Sequence, residues 1–168
     1  VRRLQESVSK HLTNFDFVCL SDIDVPCKRI PLKHDWPGWW SKLELFNHLK
    51  GKTLYIDLDT IVNGSLEPFK NISDKFVMLN DFLKPEFLCS GILYWNGNFS
   101  RLYDSFRFTD VEKTMKHYTM AKLNDFEHCG DQAYIRNIFK DCYPDIDISQ
   151  TKDIQNISIT SYKAHNYY

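Results

Sequence analysis

Two carboxylates, one residue apart, close a short apolar run in Leu54-Tyr55-Ile56-Asp57-Leu58-Asp59-Thr60-Ile61-Val62. Residues two apart on a β-strand face the same way, so Asp57 and Asp59 aim at one point while Leu58 turns back toward the core. The carboxyl ends of strands are where an open α/β sheet binds its ligands. Two carboxylates there suit Mg²⁺ or Mn²⁺, hard cations that take oxygen ligands and complete their shell with phosphate oxygens. The plain alternative is a pair of solvated aspartates at a loop edge, since an Asp-x-Asp triplet arises often by chance.

The elements that must position this pair alternate along the chain. Val1, Leu4, Val8 and Leu12 recur at helical spacing and predict an opening amphipathic helix. Phe15 to Leu20 reads as a buried strand, followed by a polar loop, Ser21-Asp22-Ile23-Asp24. Trp36-Pro37-Gly38 signals a turn, Trp39 to Leu49 a helix, and Gly51 stands where a C-cap glycine belongs. Thr53 to Asp57, Lys75 to Asn80 and Gly91 to Trp95 read as strands. Thr109 is placed to cap a helix to about Leu123. Asp131 to Phe139 reads as a short helix and Ile157 to Tyr162 as a last strand. Strands separated by helical segments predict an α/β fold with a mostly parallel sheet and flanking helices. Such folds usually start on a strand and this chain starts on a helix. Either the first strand is missing or the sheet is built without it.

Composition bounds the function. With 168 residues, 43% hydrophobic and 26% charged, the chain is globular and has room for one domain, residues 1–168. Lys and Arg number 21 against 22 Asp and Glu, which argues against a nucleic-acid binder driven by overall charge. No run approaches the roughly 18 apolar residues of a membrane helix, and no signal peptide is visible. The five cysteines form no Cys-x-x-Cys pair and read as reduced thiols of a cytoplasmic protein. The glycosylation sequons, such as Asn63-Gly64-Ser65 and Asn98-Phe99-Ser100, then read as chance matches.

Two enzyme classes place Asp-x-Asp at the end of an apolar strand. Haloacid-dehalogenase-type phosphatases do so, but Ile61 stands where they carry Thr or Val, and Ile135 stands where their second acidic pair needs an acid. The other class is the nucleotide-sugar glycosyltransferases of GT-A fold. The blocks Trp39-Trp40-Ser41-Lys42-Leu43-Glu44-Leu45-Phe46, Tyr55-Ile56-Asp57-Leu58-Asp59-Thr60, Cys89-Ser90-Gly91, Gly130-Asp131-Gln132 and Ser161-Tyr162-Lys163-Ala164-His165 follow one another in an order that decides between them. This order resembles that of bacterial and viral glycosyltransferases related to the glycogenin and lipopolysaccharide galactosyltransferase type. The resemblance runs from Val1 to about His165.

The resemblance implies a Rossmann-like GT-A fold and a set of roles. Asp57, Asp59 and His165 would hold Mn²⁺ or Mg²⁺. Lys163 would assist at the diphosphate of the donor, most simply a UDP-sugar, and Lys42 would reach the donor from the helix before the aspartates. Ser90 and Gly91 match a small-residue turn against the donor sugar, and Leu58 is counted with the donor-binding residues. Asp131 and Gln132 would hold the hydroxyls of the transferred sugar, and Asp22 would touch the nucleoside. The acceptor would be a saccharide or other hydroxyl, with the anomeric configuration retained. Each residue has a plainer reading: Asp131 as a helix N-cap, Lys42 as a surface ion pair, His165 as a solvated terminal residue, Ser90-Gly91 as an ordinary bend. Trp36, Trp39 and Trp40 form either core or a sugar-stacking wall, with at least one in the core. A non-catalytic saccharide-binding domain of the same fold is the third reading.

Overall fold

The computed structural model describes residues 1–73, 75–81, 86–120, 130–154 and 159–161. In chain order it carries α1 (Arg2–Ser9), β1 (Val18–Ser21) and β2 (Lys28–Pro31). A 3-10 turn over Gly38–Glu44 then runs into the single turn α2 (Leu45–His48). There follow β3 (Thr53–Ile56), β4 (Thr60–Val62), β5 (Phe76–Asn80), β6 (Leu88–Trp95), α3 (Ser100–Arg107) and α4 (Val111–Met120). Last come α5 (Gly130–Cys142), β7 (Ser149–Gln150) and β8 (Ile159–Ser161). Among the described residues, no helix is long and apolar enough to cross a membrane.

The central sheet has the order β3-β6-β5-β7. Its β5 is buried at every position, as a strand covered on both faces must be. Phe76, Met78, Leu93 and Trp95 face a large aromatic core shared with Trp40, Phe46, Phe99, Phe106, Tyr134 and Phe139. Val77, Leu79, Ile92 and Tyr94 face a smaller core closed by Leu4 and Val8 of α1 with Leu66 and Phe69. The period-2 alternation of these strands thus sorts their side chains into two layers.

The sheet is mixed, which corrects the mostly parallel expectation. β6 runs antiparallel to both β3 and β5, and only β7 lies parallel to β5. The connection from Asn80 to Leu88 is shorter than the dozen or so residues a parallel crossover takes, so those strands return on each other. β1 and β2 form a separate parallel pair, and β4 pairs antiparallel with β8.

Other differences are local. The expected helix over Trp39–Leu49 is mainly a 3-10 turn, led in by Pro37 in extended conformation. Gly51 lies beyond that helix, at φ +78, and donates its N–H to Gly97 O at 2.9 Å as the chain turns into β3. Asp110, not Thr109, caps α4, accepting from Lys113 N at 3.1 Å. Thr109 instead back-bonds to Phe106 O at the end of α3.

Candidate functional site

Three charged side chains from distant parts of the chain meet at the carboxyl end of β3. Lys42, in the 3-10 turn, is 6% exposed. Its Nζ lies 3.3 Å from Asp57 Oδ1 and 3.2 Å from Asp131 Oδ2. It donates to Ser90 O at 3.0 Å and to Ser90 Oγ at 2.9 Å. An ammonium has three protons. Two go to Ser90, so the two carboxylates compete for what remains. Asp131 Oδ2 is within ion-pair range of Lys42 yet receives no aligned hydrogen bond from the described residues, and it is buried. The distance decides for attraction and the angle against a hydrogen bond, so the oxygen is held but not satisfied. Among the described residues, Lys42 is the cation that these two buried carboxylates share.

Local chemistry explains each placement. Asp57 directly follows β3, and its N–H donates to Gly91 O at 2.9 Å, extending the contact with β6 by one bond. Thr60 N then donates to Asp57 O at 3.1 Å, closing a turn. The strand therefore stops before the alternation of side chains reaches Leu58 and Asp59. Leu58 is 62% exposed, which corrects its expected place toward the core, and Asp59 is exposed as well. Ser90 and Gly91 are not in a turn; they lie within β6. The register with β5 jumps from Met78 opposite Leu93 to Leu79 opposite Cys89. Ser90 to Ile92 thus bulge away from β5, and a bulge re-aims side chains, here Ser90 toward Lys42. Asp131 lies in the first turn of α5, where a carboxylate is favoured by the helix dipole, and is buried and not a solvated cap. Gln132 beside it is half-buried.

Tyr55 belongs to the cluster and was not singled out from the sequence. Its hydroxyl donates a short hydrogen bond to Asp57 Oδ1. Its ring lies under Lys42 Nζ, 5.1 Å from the centroid. Burial first, and the Asp57 carboxylate second, hold this phenol well above the usual tyrosine range, so it stays a donor. The signal was available, since Tyr55 and Asp57 are two apart on a strand and share a face.

Asp22 is not in this cluster. It is exposed in the loop after β1 and lines a recess of about 470 Å³ with Lys33, His34, Trp36 and Ser41. Lys163 and His165 lie outside the described residues. What is visible is that β8 returns beside the aspartate turn, with Ser161 opposite Thr60. Among the described residues, no three His, Cys, Asp or Glu side chains are grouped to hold a metal ion. Asp57 and Asp59 are hard oxygen donors of the kind Mn²⁺ and Mg²⁺ take, and Asp59 is exposed to solvent.

No protein-family profile matches this chain, and no curated protein matches it in sequence. Its fold is similar to the crystal structure of the glycosyltransferase GlyE of Streptococcus pneumoniae TIGR4, with a TM-score of 0.59 and 16% identity. The similarity covers 90% of this chain and 41% of that one, so the chain spans less than half the length of the structure it resembles. The chain is thus folded as part of a glycosyltransferase structure is folded.

Proposed function

We propose that this chain is a glycosyltransferase domain of GT-A type, acting on a nucleoside-diphosphate sugar, a UDP-sugar first, and a hydroxyl of a saccharide acceptor. The observation that carries the reading is the buried Lys42 shared between Asp57 and Asp131 at a strand end. The Asp131 oxygen that takes no aligned hydrogen bond from the described residues is what a ligand hydroxyl would meet, and the fold is one a glycosyltransferase uses. Asp57 and Asp59 would hold Mn²⁺ or Mg²⁺, with His165 as third ligand. When bound, the ion would offset the charge that builds on the leaving diphosphate.

The chain's own residues do the rest. Lys42 and Tyr55 fix the Asp57 carboxylate. Lys42 also sets Asp131, which with Gln132 would accept hydrogen bonds from hydroxyls of the transferred sugar. The bulge at Ser90 and Gly91 keeps the Lys42 head in place beside them. Lys163 would meet the diphosphate and Asp22 the nucleoside. The acceptor hydroxyl would attack the anomeric carbon from the face that the diphosphate leaves, which retains configuration, and its proton would pass to the departing phosphate oxygen.

A donor screen tests this: UDP-, GDP- and CMP-sugars, with Mn²⁺ and with EDTA, scored for donor hydrolysis, and calorimetry with UDP. Expected is UDP binding that needs Mn²⁺ and hydrolysis of a UDP-sugar that first releases the sugar in the donor's own anomeric configuration. Equal UDP affinity with and without Mn²⁺, or none in either, would sink the metal-dependent reading. Turnover of p-nitrophenyl phosphate that Asp57→Asn abolishes would replace it with the phosphatase reading.

A further inference from the structure

We infer that the cleft between α4 and α5 is a binding site, separate from the Lys42 cluster, for a zwitterion with an apolar body, of which an aromatic α-amino acid is the simplest kind. The cleft has a volume of about 500 Å³, within the range of small-molecule sites. Residues four apart on a helix share a face. On α4 that spacing brings Lys113 and His117 to the cleft, and on α5 it brings Tyr134 and Ile138, with Asp141 about one turn on. The ring of Tyr118 meets that of Tyr134 edge-on at 5.6 Å, and these two with Ile138 make an apolar floor. Asp141 lies near the far end of α5 from Asp131, about 15 Å along the helix axis, so the cleft extends away from the charged cluster.

The polar groups around the cleft divide into those already used within the chain and those not. Thr114 Oγ1 donates to Thr109 Oγ1 at 3.1 Å, Ser105 Oγ lies 3.1 Å from Cys142 Sγ, and the Tyr118 hydroxyl accepts from Asn137 Nδ2 at 3.3 Å. Tyr134 differs. It is 3% exposed and lines the cleft, yet its hydroxyl has no hydrogen-bond partner among the described residues. Burial first, and then Cys142 and Tyr118, hold this phenol above the usual tyrosine range, so it stays a donor. Lys113 and Asp141 line the cleft from its two helices, and neither has an ion-pair partner among the described residues. A lone anion would be repelled by Asp141 and a lone cation by Lys113, whereas a zwitterion satisfies both. Its carboxylate belongs with Lys113 and the Tyr134 hydroxyl, its ammonium with Asp141, and its apolar body on Tyr118, Tyr134 and Ile138.

The test is calorimetric titration of the intact chain with L-phenylalanine, L-tyrosine and L-leucine, and with phenylpropionate and phenethylamine, which each lack one of the two charges. At least one amino acid should bind with a Kd of about 1 mM or tighter, and about tenfold more tightly than phenylpropionate or phenethylamine. Lys113→Met and Asp141→Asn, both at exposed side chains, should each weaken that binding about tenfold, and Tyr134→Phe, which keeps the ring, about threefold. The inference is overturned if no amino acid binds, if the propionate or the amine binds as tightly, or if either charge variant leaves the affinity unchanged. Competition by UDP with Mn²⁺ would also overturn it, because the ligand would then sit at the Lys42 cluster. An amino acid held through Lys113 and Asp141 in a chain that does not bind UDP upholds this site, whatever becomes of the transferase reading.

Discussion

Two lysines, on opposite sides of the central sheet, make similar contacts with different consequences. Lys70 meets Glu67 at 2.7 Å and Thr13 Oγ1 at 2.9 Å. Lys42 stands farther from its carboxylates, at 3.3 and 3.2 Å. Distance alone would rank the Lys70 pair first. Water reverses the ranking, because the Lys70 and Glu67 side chains are 35% and 42% exposed and their attraction is screened. Lys42 is shut away from water with two negative charges that have no solvent to fall back on. What matters is less the contact than what its loss leaves behind.

Removing the buried lysine should therefore have the largest effect. Lys42→Ala takes the shared ammonium from two buried carboxylates, and urea denaturation should show a loss of about 3–5 kcal/mol. Lys42→Met keeps the stem and should lose nearly as much, since the missing part is charge. Adding Asp131→Asn to Lys42→Met should recover part of the loss, because one of the two buried negative charges goes with it. A double variant no more stable than Lys42→Met would break the account of a shared counter-ion.

Asp131→Asn alone comes next, and it separates stability from chemistry. It leaves Lys42 with Asp57 and Ser90, so the denaturation midpoint should move less than in Lys42→Ala. Donor hydrolysis should fall about 100-fold, as when one preorganised polar group is lost from an active site. Unchanged hydrolysis in a folded Asp131→Asn would take Asp131 out of the site.

The comparison also shows what a sequence can disclose. The β3 strand and Asp57 were legible, because an apolar run ending in carboxylates is a local pattern. Leu58 was misjudged, because alternation was carried past the point where Asp57 N bonds to Gly91 O and the chain turns. Taken by itself, Lys42 read as a surface residue; only its resemblance to a known block raised it. Its burial depends on a 3-10 period and on a bulge in β6 whose register is set by β5, and neither is written near residue 42. The short β2, with Lys28 and Arg29 exposed, gave no clear periodic signal; α3 did, through Phe99, Leu102, Tyr103 and Phe106 at helical spacing, and was not read. The two-layer sorting of the sheet core was implicit in strands that were read, but their direction was not.

Tyr55→Phe sharpens the comparison further. It removes one hydrogen bond to the Asp57 carboxylate and keeps the ring under Lys42, and should cost about 1.5–3 kcal/mol. It also has a pH signature. The phenol titrates higher in the folded chain than unfolded, so its contribution is whole below the unfolded value of about 10 and is lost as pH rises beyond it. Tyr143, pushed up to about 12 by burial, adds to the same alkaline decline. Denaturation midpoints at about pH 9 and about pH 11 should therefore fall less in Tyr55→Phe than in the parent chain. Equal falls would mean that Tyr55 ionises in the folded chain as it does unfolded.

Lys70→Ala should do least. Hydrogen bonds from Lys70, then from Thr13, hold the Glu67 carboxyl below its usual range. The sign follows from that depression. Any stabilisation is present above the unfolded carboxyl value and fades as pH falls through the folded one. Near neutral pH both forms of the protein carry Glu67 ionised, and in Lys70→Ala water takes the place of the ammonium at an exposed site. The thermal midpoint should be unmoved at physiological salt, while an NMR titration should show the Glu67 carboxyl moving up. Thr13 N and Oγ1, at 2.7 and 2.9 Å from Glu67 Oε1, remain, so the rise should be incomplete. A midpoint loss near that of Lys42→Ala would mean that exposure does not separate these two lysines.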